Sequence, residues 1–133
     1  MRGCASPASE DVKTRSRTYV GRCVDPAEEL LRRLALNDER LVDTVLATGS
    51  GPGVEAALVP KLDLLVRLGA LLAVGAGTAS LRRTVELALD AGATESEIVG
   101  VLVAVAPTVG LARVVSTAPR LAAAIGYDAD LDD

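Results

Sequence analysis

Histidine, tryptophan and phenylalanine are absent from this 133-residue chain, and tyrosine occurs only twice, at Tyr19 and Tyr127. Without imidazole there is no Ser-His-Asp or Cys-His catalysis and no His-ligated metal. Fourteen basic residues stand against eighteen acidic ones, a net charge of −4. An acidic chain nearly free of rings lacks the stacking platforms and the surplus cations that nucleic-acid binding uses. Nucleic acid is therefore not an expected partner, and neither a metal ion nor an organic cofactor is implied. Cysteine is scarce as well. Cys4 and Cys23 form no Cys-x-x-Cys pair and no disulfide framework, which suits reduced thiols in the cytoplasm. The first 25 residues have no apolar core of signal-peptide length.

Half of the residues are hydrophobic, and they are mostly Ala, Val and Leu. Residues 1–25 carry five basic and three acidic groups, net +2, and residues 26–133 carry nine and fifteen, net −6. The run SPASEDVKTRSRT is polar with no apolar period. Residues 1–24 therefore read as a disordered polar tail, with a basic anchor for an acidic partner as the other reading.

From Asp25 onward the pattern is helical, and an all-α bundle over residues 25–133 is expected. Asp25 can cap a helix whose first position is Pro26. Leu30, Leu31 and Leu34 mark its apolar stripe. Asp38 restarts the pattern, and Leu41, Val42, Val45 and Leu46 give a second stripe ending near Thr48. GSGPG at 49–53 breaks the chain. It lacks the Gly-Lys-Ser/Thr sequel of a phosphate loop, so it reads as a linker between a small helical pair and the main core. Residues 61–75 predict a central helix buried nearly all round. Its charge-free run is far shorter than a membrane span of about 20 residues, so no membrane is expected. Gly75 and Gly77 suit a tight turn. Residues 79–91 predict an amphipathic helix with Leu81, Val85, Ala88 and Leu89 inward and Arg82, Glu86 and Asp90 outward. Gly92 suits a left-handed helix end. Thr94-Glu95-Ser96-Glu97 is a capping box, which assigns the β-branched run Ile98–Ala106 to a helix rather than a strand. Pro107 and Gly110 should bend or interrupt the chain. A last helix should begin near Leu111, with Pro119 breaking it or starting its final turns through Ile125.

Two nearly all-apolar helices in so small a chain need covering that one copy does not supply. A homo-oligomer is therefore expected.

Residues 58–127 carry an ordered set of features: an apolar helix opening with Pro60-Lys61, the run Ala88-Leu89-Asp90-Ala91-Gly92-Ala93-Thr94-Glu95-Ser96-Glu97-Ile98, and a second apolar helix leading into Ala106-Pro107 with Gly110 nearby. This stretch resembles the carboxymuconolactone decarboxylase-like family, which includes alkylhydroperoxidase D-type proteins. The resemblance implies their all-helical bundle, and a trimer or hexamer as the assembly. It also implies where chemistry would lie. The redox members carry Cys-x-x-Cys and then a His four residues later. Those positions fall at Gly77, Ser80 and Thr84 here. A relay glutamate would fall at Leu64 or Leu65. Thiol-based peroxide reduction thus lacks its nucleophile, its resolving thiol and its relay. The decarboxylase members lack the redox cysteines too, so a lyase activity stays open.

That activity needs an acid to deliver a proton to carbon and a cation to hold a carboxylate. No catalytic residue is assigned. The candidate ligand-binding residues are Asp63, Arg67, Ser80, Arg83, Thr84 and Arg113. Asp63 and Arg67 either face a pocket or form an ion pair within one helix near a subunit interface. Ser80 and Thr84 either donate to a ligand or bond backbone carbonyls one turn back. Arg113 is either a carboxylate clamp or a partner in an interface ion pair. Thr78 is expected to cap the helix that follows it, and Arg82 to be solvated. Three functions follow. The first is a non-redox enzyme or binder of a small lactone or carboxylic acid. The second is a non-catalytic oligomeric scaffold. The third, with the least support in the residues, is a peroxide reductase.

Overall fold

The computed structural model describes residues 25–55 and 57–127. The expected tail at 1–24, both cysteines and Tyr19 lie outside the described residues. The described residues form six helices and no strand. They are α1 (Pro26–Ala35), α2 (Glu39–Thr48), α3 (Pro60–Val74), α4 (Thr78–Asp90), α5 (Glu95–Val109) and α6 (Leu111–Ile125). The chain divides into two compact units, with the boundary between Glu55 and Ala56. None of the described helices is long and apolar enough to cross a membrane.

The first unit is built around two caps. Asp25 accepts from the Ala27 N–H at 2.9 Å while Pro26 takes the first helical position. Asn37 turns the chain with a left-handed φ of 55°. Asp38 then accepts from the Leu41 N–H at 3.3 Å and pairs with Arg33 at 2.8 Å. The Arg33 hydrogen bond, with the Leu41 N–H second, holds the Asp38 carboxyl below its ordinary value of 3.8. Leu41 is buried and Leu30 and Leu34 are half-buried, but Leu31 and Leu46 are exposed. The apolar stripes are thus narrower than the sequence suggests: two ten-residue helices offer only one shared seam.

In the second unit, α4 packs on α6 and α3, and α3 and α6 both pack on α5. Leu68, Leu72, Leu81, Val85, Ile98, Leu121 and Ala124 form the core. Gly69 brings α3 close to α5: a Cβ there would lie 3.4 Å from Val101 Cγ1 and 3.5 Å from Val105 Cγ1. The α3 helix is not buried all round, as its composition suggests. Leu68, Gly69 and Leu72 are buried, while Leu62 and Val66 are exposed. On α4, Leu81, Val85 and Ala88 are buried, but Leu89 sits at the exposed edge.

The capping box forms in full. Thr94 Oγ1 accepts from the Glu97 N–H, and Glu97 Oε2 accepts from the Thr94 N–H at 2.8 Å. The other Glu97 oxygen meets Lys61 Nζ at 2.8 Å, tying the start of α5 to the start of α3. The Lys61 hydrogen bond, followed by the Thr94 N–H, holds Glu97 below its ordinary value of 4.5. Tyr127 donates its hydroxyl to Glu95 Oε2 at 2.7 Å, joining the end of the α6 segment to α5. That bond raises Tyr127 above its ordinary value of 10.0.

Neither internal proline ends its helix. Pro107 lies inside α5, which continues to Val109, and Pro119 lies inside α6. Each removes one N–H and frees the carbonyl four residues earlier. Those carbonyls belong to Val103 and Val115, both exposed, so water can take them up. The real break is Gly110, whose φ of 82° separates α5 from α6.

Thr117 is fully buried, and its hydroxyl has no partner. A helical threonine usually bonds the carbonyl one turn back. Here that carbonyl, of Arg113, accepts from Ser116 Oγ at 3.0 Å. Thr117→Val keeps the shape and removes the unsatisfied hydroxyl. It should stabilise the protein by about 1 kcal/mol, read as a higher Tm in thermal unfolding. A lower Tm would show that the hydroxyl is satisfied in solution.

The titrating ties predict a pH window. Asp38 and Glu97 have lowered folded values, so their stabilisation is complete above 3.8 and 4.5 and is lost as pH falls through the lower folded values. Tyr127 has a raised value, so its contribution is complete below 10.0 and is lost as pH rises through the higher folded value. Glu97→Gln should lower Tm at neutral pH and shrink the Tm difference between neutral pH and about pH 3. An unchanged difference would remove Glu97 from the acid response.

Candidate functional site

Asp63 and Arg67 lie one turn apart on α3, and Arg67 Nε donates to Asp63 Oδ2 at 2.9 Å. Both side chains remain partly exposed, so the pair is a solvated contact within one helix.

The α4 helix starts without a side-chain cap, as α3 and α6 also do. Its N-cap position is Gly77, which has no side chain to offer, and no side-chain hydrogen bond caps the helix. Thr78 is the first helical residue, so the expected Thr78 cap is not formed. The N–H groups of Thr78, Ala79 and Ser80 open the helix without a side-chain acceptor. Space beyond Gly77 is open: a Cβ there would meet nothing within 4 Å. Ser80 is exposed in this first turn and Thr84 is half-buried one turn later. Thr84 Oγ1 donates to the Ser80 carbonyl at 3.1 Å, the backbone option for that hydroxyl. Arg82 and Arg83 are exposed beside them.

Arg113 comes from the first turn of α6. Its guanidinium lies over Gly75 so closely that a Cβ at Gly75 would collide with Nη1. Arg120, seven residues on and on the same side of α6, donates from Nη1 to the Gly75 carbonyl at 3.1 Å. Gly75 is the left-handed residue that ends α3, with φ 73°. Two cations therefore converge on the end of α3 where unpaired carbonyls and the negative end of the helix dipole lie. Neither the pairing of Arg120 with Gly75 nor the Tyr127–Glu95 bond is foreseen from the sequence. The seven-residue spacing of Arg113 and Arg120 was visible, but nothing in it named Gly75 as the target.

The structure thus joins Asp63 to Arg67 and Thr84 to Ser80. Among the described residues, no hydrogen bond or ion pair connects the first pair to Ser80, Arg83, Thr84 or Arg113. Leu64 and Leu65 are half-buried on α3, and Leu65 packs against the core. The start of α4 can hold an anion through backbone N–H groups, with Arg113 two residues away at Gly75. It presents no thiol and no imidazole, and α4 carries no acid before Glu86.

A shallow hollow of about 390 Å³ lies in the first unit, lined by Pro26, Glu29, Leu30, Arg33, Pro52 and Gly53. None of the candidate residues lines it. Its charged groups are already engaged, Glu29 with Arg32 and Arg33 with Asp38. Among the described residues no group of three or more His, Cys, Asp or Glu is placed to hold a metal ion. No family model, no curated protein and no solved structure matches the chain.

Proposed function

We propose that this chain is a carboxymuconolactone decarboxylase-like helical protein without thiol redox chemistry, which works as a homo-oligomer and holds a small carboxylic acid or lactone at the start of α4. The observation that carries the reading is the open, uncapped first turn of α4 at Gly77, with Ser80 exposed in it and Arg113 standing at Gly75. Three free N–H groups and a nearby guanidinium suit a carboxylate. Binding has more support than catalysis, because the first two turns of α4 carry no proton-transfer group: Thr78, Ser80, Arg82, Arg83 and Thr84 are their polar side chains. Should turnover occur, it would be that of a lyase, and it would need its acid from elsewhere.

A second reading, an oligomeric scaffold with no ligand, is favoured by a different observation. The Thr84 hydroxyl and the Asp63–Arg67 pair are each satisfied within their own helix, while Leu62, Val66, Val103, Leu111 and Val115 stand exposed.

Calorimetric titration of the full chain with benzoate, and separately with a γ-lactone carboxylic acid, distinguishes the two. The binder reading expects saturable heat with at least one of them, weakened about tenfold in Arg113→Ala and less in Ser80→Ala at unchanged helicity. Absence of saturable heat with both, from a protein that still sediments as an oligomer, would leave the scaffold.

A further inference from the structure

We infer that Arg113 and Arg120, seated together on Gly75, form a receptor for a compact, doubly charged oxyanion: the phosphate group of a phosphomonoester or of the free ion. The inference rests on the anion-holding part of the proposed function and names the class of anion that this corner prefers.

The two arginines come from one side of α6, and both reach the residue that ends α3. Gly75 is what admits them. Any Cβ there would collide with Arg113 Nη1, and the bare backbone lets the guanidinium lie against the chain. Arg120 donates to the Gly75 carbonyl at 3.1 Å. That carbonyl is a neutral partner, and it leaves most donors of the guanidinium unused. Both side chains belong to exposed residues, and among the described residues neither forms an ion pair. Arg32, Arg33 and Arg67, by contrast, each meet a carboxylate at 2.8 or 2.9 Å.

The charge around them has one sign. No charged residue lies between Arg67 and Arg82 or between Glu97 and Arg113, and no acid lies between Glu97 and Tyr127. The acids nearest Gly75 in sequence are Asp63, already paired with Arg67, and Glu86, which follows Arg82 and Arg83 along α4. The end of α3 contributes about half a negative charge, which leaves most of two full positive charges unanswered. The start of α4, two residues beyond Gly75, contributes the opposite sign. An exposed corner of one sign draws anions from solution.

Crowding selects the anion. Two guanidinium groups meet at one residue, so like charges are held close together. A partner that concentrates negative charge offsets both at once. A carboxylate brings one charge and two oxygens, which Arg113 and the N–H groups opening α4 already satisfy. A dicarboxylate spreads its charges over separate carbons. A phosphate group sets close to two charges and three acceptor oxygens on one centre, and the arginine fork matches its edges.

Calorimetric titration of the full chain with inorganic phosphate, phenyl phosphate and benzoate tests this, at constant ionic strength and a slightly alkaline pH where phosphate is doubly charged. At least one of the two phosphates should bind about tenfold more tightly than benzoate. Phenyl phosphate binding as well as the free ion assigns the site to phosphorylated molecules, and binding of the free ion alone assigns it to phosphate itself. Arg120→Gln should weaken phosphate about tenfold and leave benzoate within about twofold, and Arg120→Lys, which keeps the charge, should recover part of the loss. Arg40→Gln, an exposed arginine of α2, should change neither, and circular dichroism should show intact helices throughout. Benzoate bound as tightly as both phosphates, phosphate affinity unmoved in Arg120→Gln, or an equal loss in Arg40→Gln would overturn the inference and leave the carboxylate reading standing. Absence of saturable heat with all three would overturn both.

Discussion

The second unit depends on filling an interior with no aromatic ring. Its largest fully buried side chains are Leu68, Leu72, Leu81, Ile98, Val85 and Thr117. Each aliphatic one stabilises the fold by roughly 1.5–3 kcal/mol when removed from water. Volume that a Phe or Trp would occupy has to be removed instead by bringing backbones together. Gly69 does this between α3 and α5, and the buried Ala88 and Ala124 show the same economy of size on α4 and α6. The consequence is a core one layer deep. Each helix has one side turned inward, and the apolar residues on its other side find no neighbour within the chain. Leu62, Val66, Val103, Leu111 and Val115 are exposed for this reason rather than through any irregularity of the helices.

A thin aliphatic core gives little control over the positions of helix ends, because Leu and Val contacts are non-directional. The polar ties supply it. Glu97 uses one oxygen to cap α5 and the other to reach Lys61 on α3, so the starts of two helices are fixed by one carboxylate. Tyr127 reaches Glu95 and brings the end of the α6 segment to the same region. At the opposite end, Arg113 and Arg120 settle on Gly75. These contacts are exposed and individually modest. Their value is geometric: each joins a helix terminus to a different helix.

How much of this was legible in the sequence follows from the range of each interaction. Helix starts set by a neighbouring side chain were readable, because Asp25, Asp38 and Thr94 act within three residues of themselves. The capping box also resolved Ile98–Ala106, whose β-branched content alone would suit a strand. Helix ends at Gly92 and Gly110 were readable from the same local logic. The prolines misled, since the disruption expected of Pro107 and Pro119 assumes that a freed carbonyl has nowhere to go, and here it belongs to an exposed residue, Val103 or Val115. Burial was overestimated for α3, because composition reports how apolar a helix is and not how many neighbours the chain has to cover it. In the candidate site, the spacing of Asp63 and Arg67, and of Ser80 and Thr84, offered the contact within one helix as one of two readings, and that is the one the structure shows for Asp63–Arg67 and for the Thr84 hydroxyl. The seating of Arg113 and Arg120 on Gly75 spans more than thirty-five residues of sequence, and no local pattern reports a contact of that range.

The start of α4 shows why fold and chemistry have to be argued apart. Gly77 and Ser80 stand where the resemblance would place thiols, and both are exposed. Neither contributes to the buried layer, which α4 supplies from Leu81, Val85 and Ala88 on its other side. Exchanging thiols for hydrogen or hydroxyl at such positions therefore leaves the core untouched, and the bundle places no constraint on which chemistry they carry. The same holds at the relay position, in reverse. Leu64 and Leu65 are half-buried and Leu65 packs against the core, so a carboxylate there would face desolvation that leucine does not. Leucine at both positions suits a chain short of interior volume. The start of α4 offers an uncapped helix end, with guanidinium groups held at the neighbouring end of α3. Backbone N–H groups and guanidinium groups offer positive charge but no proton-transfer group at neutral pH, so this helix start supplies no acid of its own for a reaction.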